Sequence, residues 1–266
     1  MAAADAWSAP GPARDRSGVE EMSGTWTYWK VYAPTAEMDR VVLELADLVE
    51  RIAGAATSWH VLRYADHSGP HLRFRAFTSP SSADAVHASR HEVGHPVRLD
   101  LYEPEVDKWG TSGVRRAEEL FTTSTLLAVH AIRERMDVAD LLVRHTVSVL
   151  VPDQRTRLAV LRTHAAWWLG EQSSDGGAVE SSLAALRDEP PPNVQDGDPC
   201  SHRLLGRFVD GLADAMRHAG PGHPPVYHLH QHVHLTMNRL GLSPQREATA
   251  ALNELIRLER AGVEQG

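Results

Sequence analysis

The rhythm of apolar and polar positions changes once along this chain. In "TWTYWKVYA" (Thr25–Ala33), aromatic and β-branched residues alternate roughly every second position, which predicts a strand. In "TAEMDRVVLELADLVERIAG" the period lengthens: Met38, Val41, Val42, Leu45, Leu48 and Val49 recur at helical spacing, with Thr35 as N-cap and Gly54 as terminator. "SWHVLRYA" and "HLRFRAF" alternate again on either side of "DHSGP", the pattern of a hairpin. "SSADAVHASRHEVG" predicts a short helix and "PVRLDLYEP" one more strand. The order β-α-β-β-α-β over residues 25–104 is ferredoxin-like, an antiparallel sheet with both helices on one face.

After Pro104 only the helical period remains. It runs through "SGVRRAEELFTTSTLLAVHAIRERM", "ADLLVRHTVSVLV", "DQRTRLAVLRTHAAWWLG", "SHRLLGRFVDGLADAMRHA", "VYHLHQHVHLTMNRLGL" and "SPQREATAALNELIRLERAG". The last opens with Ser243 as N-cap, Pro244 at the first helical position and Glu247 placed for a capping box. Residues 171–199, with "SSDGG" and "DEPPPN", read as a mobile loop, and residues 1–22 as a disordered tail. The expected fold is α+β: one domain over 23–266, with a sheet part (25–104) and an all-helical part (111–264) covering the open sheet face. With Leu72 and Phe74 turned towards the sheet's own helices, His71, Arg73 and Arg75 lie on the opposite face, beneath that cover.

Bulk properties narrow the function. The 266 residues suffice for a full core. A formal charge of −8, from 27 basic and 35 acidic residues, argues against nucleic acid as the main partner. Cys200 is the only cysteine, which excludes an intramolecular disulfide and fits a reducing cytoplasm. No apolar run reaches the roughly 18 residues a membrane span needs.

Several groups could carry chemistry, each with a plainer alternative. His71, Arg73 and Arg75 form either an anion pocket or the charged face of a solvated edge strand. "YEPEVDKWG" places Glu103, Glu105, Asp107 and Lys108 just past a strand end, as site residues or as a solvated loop. His228/His232 and His230/His234 are i,i+4 pairs, but no Glu stands between them in zincin fashion and no third ligand is evident. One titrating histidine acting as general acid or base suits them better than a metal, and packed histidines are the alternative. Ser124 and Cys200 have no motif to make them nucleophiles, and Trp167 and Trp168 read as core aromatics.

"WHVLRYADHSGPHLRFR", "YEPEVDKWG", "AEELF…S" and "H…NRLGL", in that order, resemble the thiopeptide-type bacteriocin biosynthesis domain. This is the C-terminal, glutamate-eliminating domain of lantibiotic dehydratases, also found alone. The resemblance runs from about Trp26 to Ala261 and implies a cytoplasmic enzyme acting on a ribosomally made precursor peptide, with its leader and dehydrated core. Other maturation enzymes are further partners, and neither cofactor nor metal is implied. Arg73 and Arg75 stand at the family's strand arginines, Glu105 at the acid of the "YE-E" motif, and His234 four residues before the Asn-Arg of "NRL". The resemblance thus nominates His234, Arg75, Arg73, Glu105 and Lys108 for catalysis, and His71, Tyr102, Tyr64 and Asn238 for substrate binding.

This chain departs from the elimination pattern at one loop. Lys108 stands where an arginine helps hold the departing carboxylate, and lysine lacks the bidentate fork. Thr111 replaces a glycine, and Thr123 an aspartate. These changes favour the family's other reaction. That is pyridine synthesis from two dehydroalanines by formal aza-Diels–Alder cyclisation, with loss of water and leader peptide. Glutamate elimination from glutamylated Ser/Thr, and a non-catalytic peptide scaffold, are the alternatives.

Overall fold

The structure, a computed structural model, describes residues 24–52, 58–170, 177–188, 197–219 and 222–263. The expected tail and Gly54 lie outside these residues. Four strands form one antiparallel sheet: β1 (Thr25–Tyr32), β2 (Ser58–Asp66), β3 (Gly69–Thr78) and β4 (Val97–Asp100), in the spatial order β2-β3-β1-β4. With α1 (Met38–Ile52) and α2 (Pro80–Ala88) between them, this is the ferredoxin-like order. Trp29, Val31, Trp59, Val61, Leu72, Phe74 and Ala76 pack against Val41, Val42, Leu45 and Val49 of α1, so both periods on this side point at one core. Thr35 does not cap α1; it opens a 3₁₀ turn, Thr35–Glu37, that leads into the helix.

Among the described residues eight helices follow: α3 (Val106–Trp109), α4 (Val114–Glu134), α5 (Ala139–Leu150), α6 (Gln154–Gly170), α7 (Ala178–Asp188), α8 (Pro199–His218), α9 (Pro225–Arg239) and α10 (Pro244–Val263). They build a second core around Leu142, Leu161, Leu205, Phe208, Leu252 and Leu255. Within the expected loop over 171–199, residues Ala178–Asp188 instead form α7, an amphipathic helix whose Leu183 is fully buried in that core, while residues 171–176 and 189–196 lie outside the described residues. The flanking Ser, Gly and Pro clusters hid its short apolar stripe.

Register fixes what the other sheet face presents. His71, Arg73 and Arg75 pair with Tyr64, Leu62 and His60 on β2, and with Tyr32, Lys30 and Tyr28 on β1. Paired residues share a face, so one surface collects all of them. Helices α4 and α9 lie against β2. Ser58 Oγ and Thr122 Oγ1 of α4 are 2.8 Å apart. Asn238 of α9 clasps the strand backbone: its Oδ1 accepts from Arg63 N–H (2.9 Å) and its Nδ2 donates to Arg63 C=O (3.0 Å). A side-chain amide here replaces a missing neighbour strand. Asn238→Ala is expected to leave two half-buried backbone groups unpaired and to cost about 1–3 kcal/mol. Urea unfolding would measure it, and an unchanged midpoint would contradict the clasp.

Candidate functional site

The cationic face is covered. Arg75 is 8% exposed, and its guanidinium lies over the rings of Tyr28 and Tyr102, 4.8 and 4.9 Å from their centres. Its Nη1 is 3.4 Å from His60 Nε2, and its Nε has no partner. Arg239, at the end of α9, is fully buried beside it. One nitrogen of Arg239 donates to Leu235 C=O (2.8 Å), its Nε and Nη2 are unpaired, and Phe121 packs under the guanidinium at 4.9 Å. Neither arginine forms a salt bridge among the described residues. Burial, with Arg75 as a neighbouring cation, brings Arg239 down to about 9. Two buried guanidiniums that form no salt bridge make a place where an anion, or an oxygen gaining negative charge, would be stabilised.

Tyr102 and Glu118 edge this place. The Tyr102 hydroxyl donates to Glu118 Oε1 at 2.7 Å, and its ring packs on Trp26 at 4.7 Å. Burial and then the Glu118 hydrogen bond raise Tyr102, while burial raises Glu118 against the opposing pull of Tyr102 and Arg75. Both shifts favour the protonated forms, so the Tyr102 hydroxyl keeps its proton and directs it at Glu118. Glu118 was not legible as a site residue, because i,i+4 charges on a helix usually read as a solvated face.

Glu105 and Lys108 flank the same edge on α3. They pair at 3.8 Å, with Lys108 Nζ 4.8 Å from the Trp109 ring centre. Burial lowers the lysine, partly opposed by Glu105. Arg73 spreads over the Tyr64 ring at 3.4 Å. His71 is buried between Tyr32 and Tyr64, with its Nδ1 3.2 Å from Gly69 C=O. Of the residues nominated for substrate binding, His71 has no exposed surface and Asn238 spends its amide on Arg63; both are better explained as structural.

His234 belongs to a separate group. Its ring stacks on Trp168 (3.7 Å between centres, 14° between planes), and its Nδ1 lies 2.8 Å from Glu247 Oε2. Glu247, only 1% exposed, also lies 2.9 Å from His164 Nε2 through its other oxygen, and His164 Nδ1 is 2.9 Å from His230 Nδ1. Burial pushes the Glu247 carboxyl up, but His164 and His234 together outweigh it and hold it below the usual range. This corrects one expectation, since Glu247 is no capping-box partner, although Ser243 Oγ does accept from Arg246 N–H (3.2 Å); Trp168 is the core aromatic expected, and its ring also stacks on His234. His234 keeps 25% of its side chain exposed, while His228, His230 and His232 are buried. Arg239, which feels the charge of Arg75, stands five residues after His234 at the end of the same helix, α9.

Four histidines share a titration consequence. Burial lowers His60, His228, His230 and His232, with help from nearby cations or histidines, and His230 falls to about 3. In the unfolded chain each takes up its proton near pH 6.5. Below that pH the unfolded state therefore binds more protons, and stability falls as pH falls, by up to about 1.4 kcal/mol per histidine per pH unit. Glu247, being depressed, contributes stability above about pH 4.3 that is lost as pH drops further. Thermal unfolding at pH 7.5 and pH 5.5 should show a marked drop in Tm at the lower pH; equal values would contradict these burials.

Two buried guanidiniums under a ferredoxin-like sheet, with a carboxylate-held histidine on a covering helix, are consistent with a catalytic role. The chain belongs to the lantibiotic biosynthesis dehydratase C-terminal family, whose profile it matches over residues 26–255. Among solved structures it is similar to TbtD, a pyridine synthase from thiomuracin biosynthesis (16% identity, TM-score 0.60, covering 88% of this chain and 98% of that one). It is also similar to TsrL (17%, 0.62, 90% and 96%). A third likeness is to the tRNA-dependent lantibiotic dehydratase MibB from Microbispora sp. 107891 (17%, 0.52), where it covers 92% of this chain but 29% of the longer protein. At these identities the likeness establishes the fold. No curated protein matches the chain.

Proposed function

We propose that this chain matures a ribosomally made precursor peptide by closing a pyridine ring from two dehydroalanines. In this reaction the preceding amide of one dehydroalanine, as its iminol, forms an azadiene with that residue's alkene. The azadiene adds across the second alkene with two new carbon–carbon bonds. Loss of water from the former iminol carbon and of the leader peptide as an amide leaves the aromatic ring. The observation that carries the reading is the bond between His234 Nδ1 and the buried Glu247. With the carboxylate accepting from Nδ1–H, the lone pair stays on Nε2, which can take the amide proton and later return it to a leaving group.

Tyr102 and Glu118 supply a second proton-bearing pair, and Arg75 with Arg239 favours oxygen carrying negative charge. Alignment of the two alkenes is mainly an entropic task for the walls of the cleft. Lys108, paired to Glu105 and lying against Trp109, presents a single ammonium where elimination would call for a carboxylate fork. Arg73, on the same sheet face, is read as a contact for the peptide.

One observation favours the second reading, glutamate elimination: the guanidiniums of Arg75 and Arg239 form no salt bridge among the described residues and would receive a glutamyl carboxylate. A synthetic leader-core peptide carrying two dehydroalanines separates the two. Loss of water and leader, with pyridine absorbance, is the expected result. No reaction there, together with glutamate release from a glutamylated peptide, would replace this proposal by the second.

A further inference from the structure

His130, Asp198 and Cys200 form a cluster that the chemistry above does not use. His130 comes from α4; Asp198 and Cys200 come from the first turn of α8. One donor atom from each lies within 4.8 Å of the other two. All three are partly exposed, so a small ion can reach them from solvent.

Two of the three donors are already held in place. Asp198 caps α8, its Oδ1 accepting from Ser201 N–H at 2.7 Å, which leaves Oδ2 aimed at His130 Nε2, 2.9 Å away. The cap thus fixes one carboxylate oxygen for the helix and frees the other. The third donor, Cys200 Sγ, is the only thiol in the chain. Around a tetrahedral zinc ion, bond lengths of about 2.0–2.3 Å separate ligand atoms by roughly 3.3–3.7 Å. The cluster is therefore within about 1 Å of that geometry, a movement that side-chain rotation alone can supply.

We propose that His130, Asp198 and Cys200 bind one divalent zinc-like ion, with water as the fourth ligand. The donor set decides the metal: a thiolate and an imidazole select zinc over magnesium or calcium, which want oxygen. On binding, the Cys200 S–H bond is exchanged for a sulfur–metal bond and one proton is released to solvent. His130 moves its ring proton to Nδ1 and gives the Nε2 lone pair to the ion, and Asp198 turns Oδ2 from the histidine to the metal. Thiolate and carboxylate together balance the ion's two charges. The bound ion would tie α8 to α4, the helix that also carries Glu118 and Phe121 to the site.

The test uses the full chain and Co²⁺, whose spectrum reports its ligands. One equivalent should produce a near-ultraviolet thiolate-to-cobalt band with the strong visible bands of a tetrahedral site, both displaced by Zn²⁺. Since the chain has one cysteine among 16 histidines, the thiolate band separates this site from adventitious histidine binding. Cys200→Ser should abolish that band, and His130→Gln and Asp198→Asn should each weaken cobalt binding at least tenfold. Asparagine still caps a helix, so Asp198→Asn keeps the fold, and circular dichroism confirms it. Zn²⁺ should raise the Tm of the native chain and not that of Asp198→Asn. No thiolate band, or a band of unchanged affinity in both His130→Gln and Asp198→Asn, would overturn the proposal.

Discussion

Arg75→Met is expected to abolish turnover while making the protein more stable. Arg75 and Arg239 are buried side by side, and neither forms a salt bridge among the described residues. Their mutual repulsion and desolvation oppose folding. Methionine fills a similar volume under Tyr28 and Tyr102 without a charge. The attraction of Arg75 for Glu118 is lost, but relief of the repulsion from Arg239 and of the desolvation should outweigh it and raise stability by up to about 1 kcal/mol, or a few degrees in Tm for a chain of this size. The same change removes the donor facing developing negative charge, with a loss of about 10²-fold or more in rate. Such opposed effects are the usual mark of a functional strain rather than a structural contact. A Tm lowered by several degrees, with activity retained, would show that Arg75 serves the fold instead.

His234→Gln should lower kcat by about 10²–10⁴-fold and leave Tm nearly unchanged. The side chain is a quarter exposed, so glutamine can reach Glu247 or solvent without burying an unpaired group. Glu247→Gln should lower kcat less and leave KM alone, since the carboxylate positions the imidazole and does not meet the peptide. Steady-state kinetics on the dehydrated peptide would measure both. Full activity in His234→Gln would transfer the proton work to Tyr102 and Glu118.

The sheet half was legible because its periods are clean. The alternation of "HLRFR" already placed Leu72 and Phe74 on one side and Arg73 and Arg75 on the other, and the register confirms it. Helix α7 was hidden because its stripe rests on one residue, Leu183, between loop-like flanks. The partners of the site were harder still. Arg239 lies 164 positions after Arg75, and Glu247 reads locally as a helix-start residue; only packing reveals that one faces a cation and the other two histidines. His60 could have been found, since it sits in register with Arg75 on the neighbouring strand. Asn238 shows the same difficulty: the motif marks it as polar and distinctive, but nothing local to it shows that its amide meets the backbone of Arg63.

The clasp between Asn238 and β2 also divides labour within the molecule. Helix α9, which carries His234 and Arg239, is fastened through Asn238 to β2, the strand paired with the β3 that carries Arg75. Across the sheet, β4 has only four residues, and Leu99 and Leu101 are exposed. Changes to this exposed end of the sheet, at Leu99 and Leu101, would therefore alter the surface beside the site while leaving Tyr102 and the buried arginines in place.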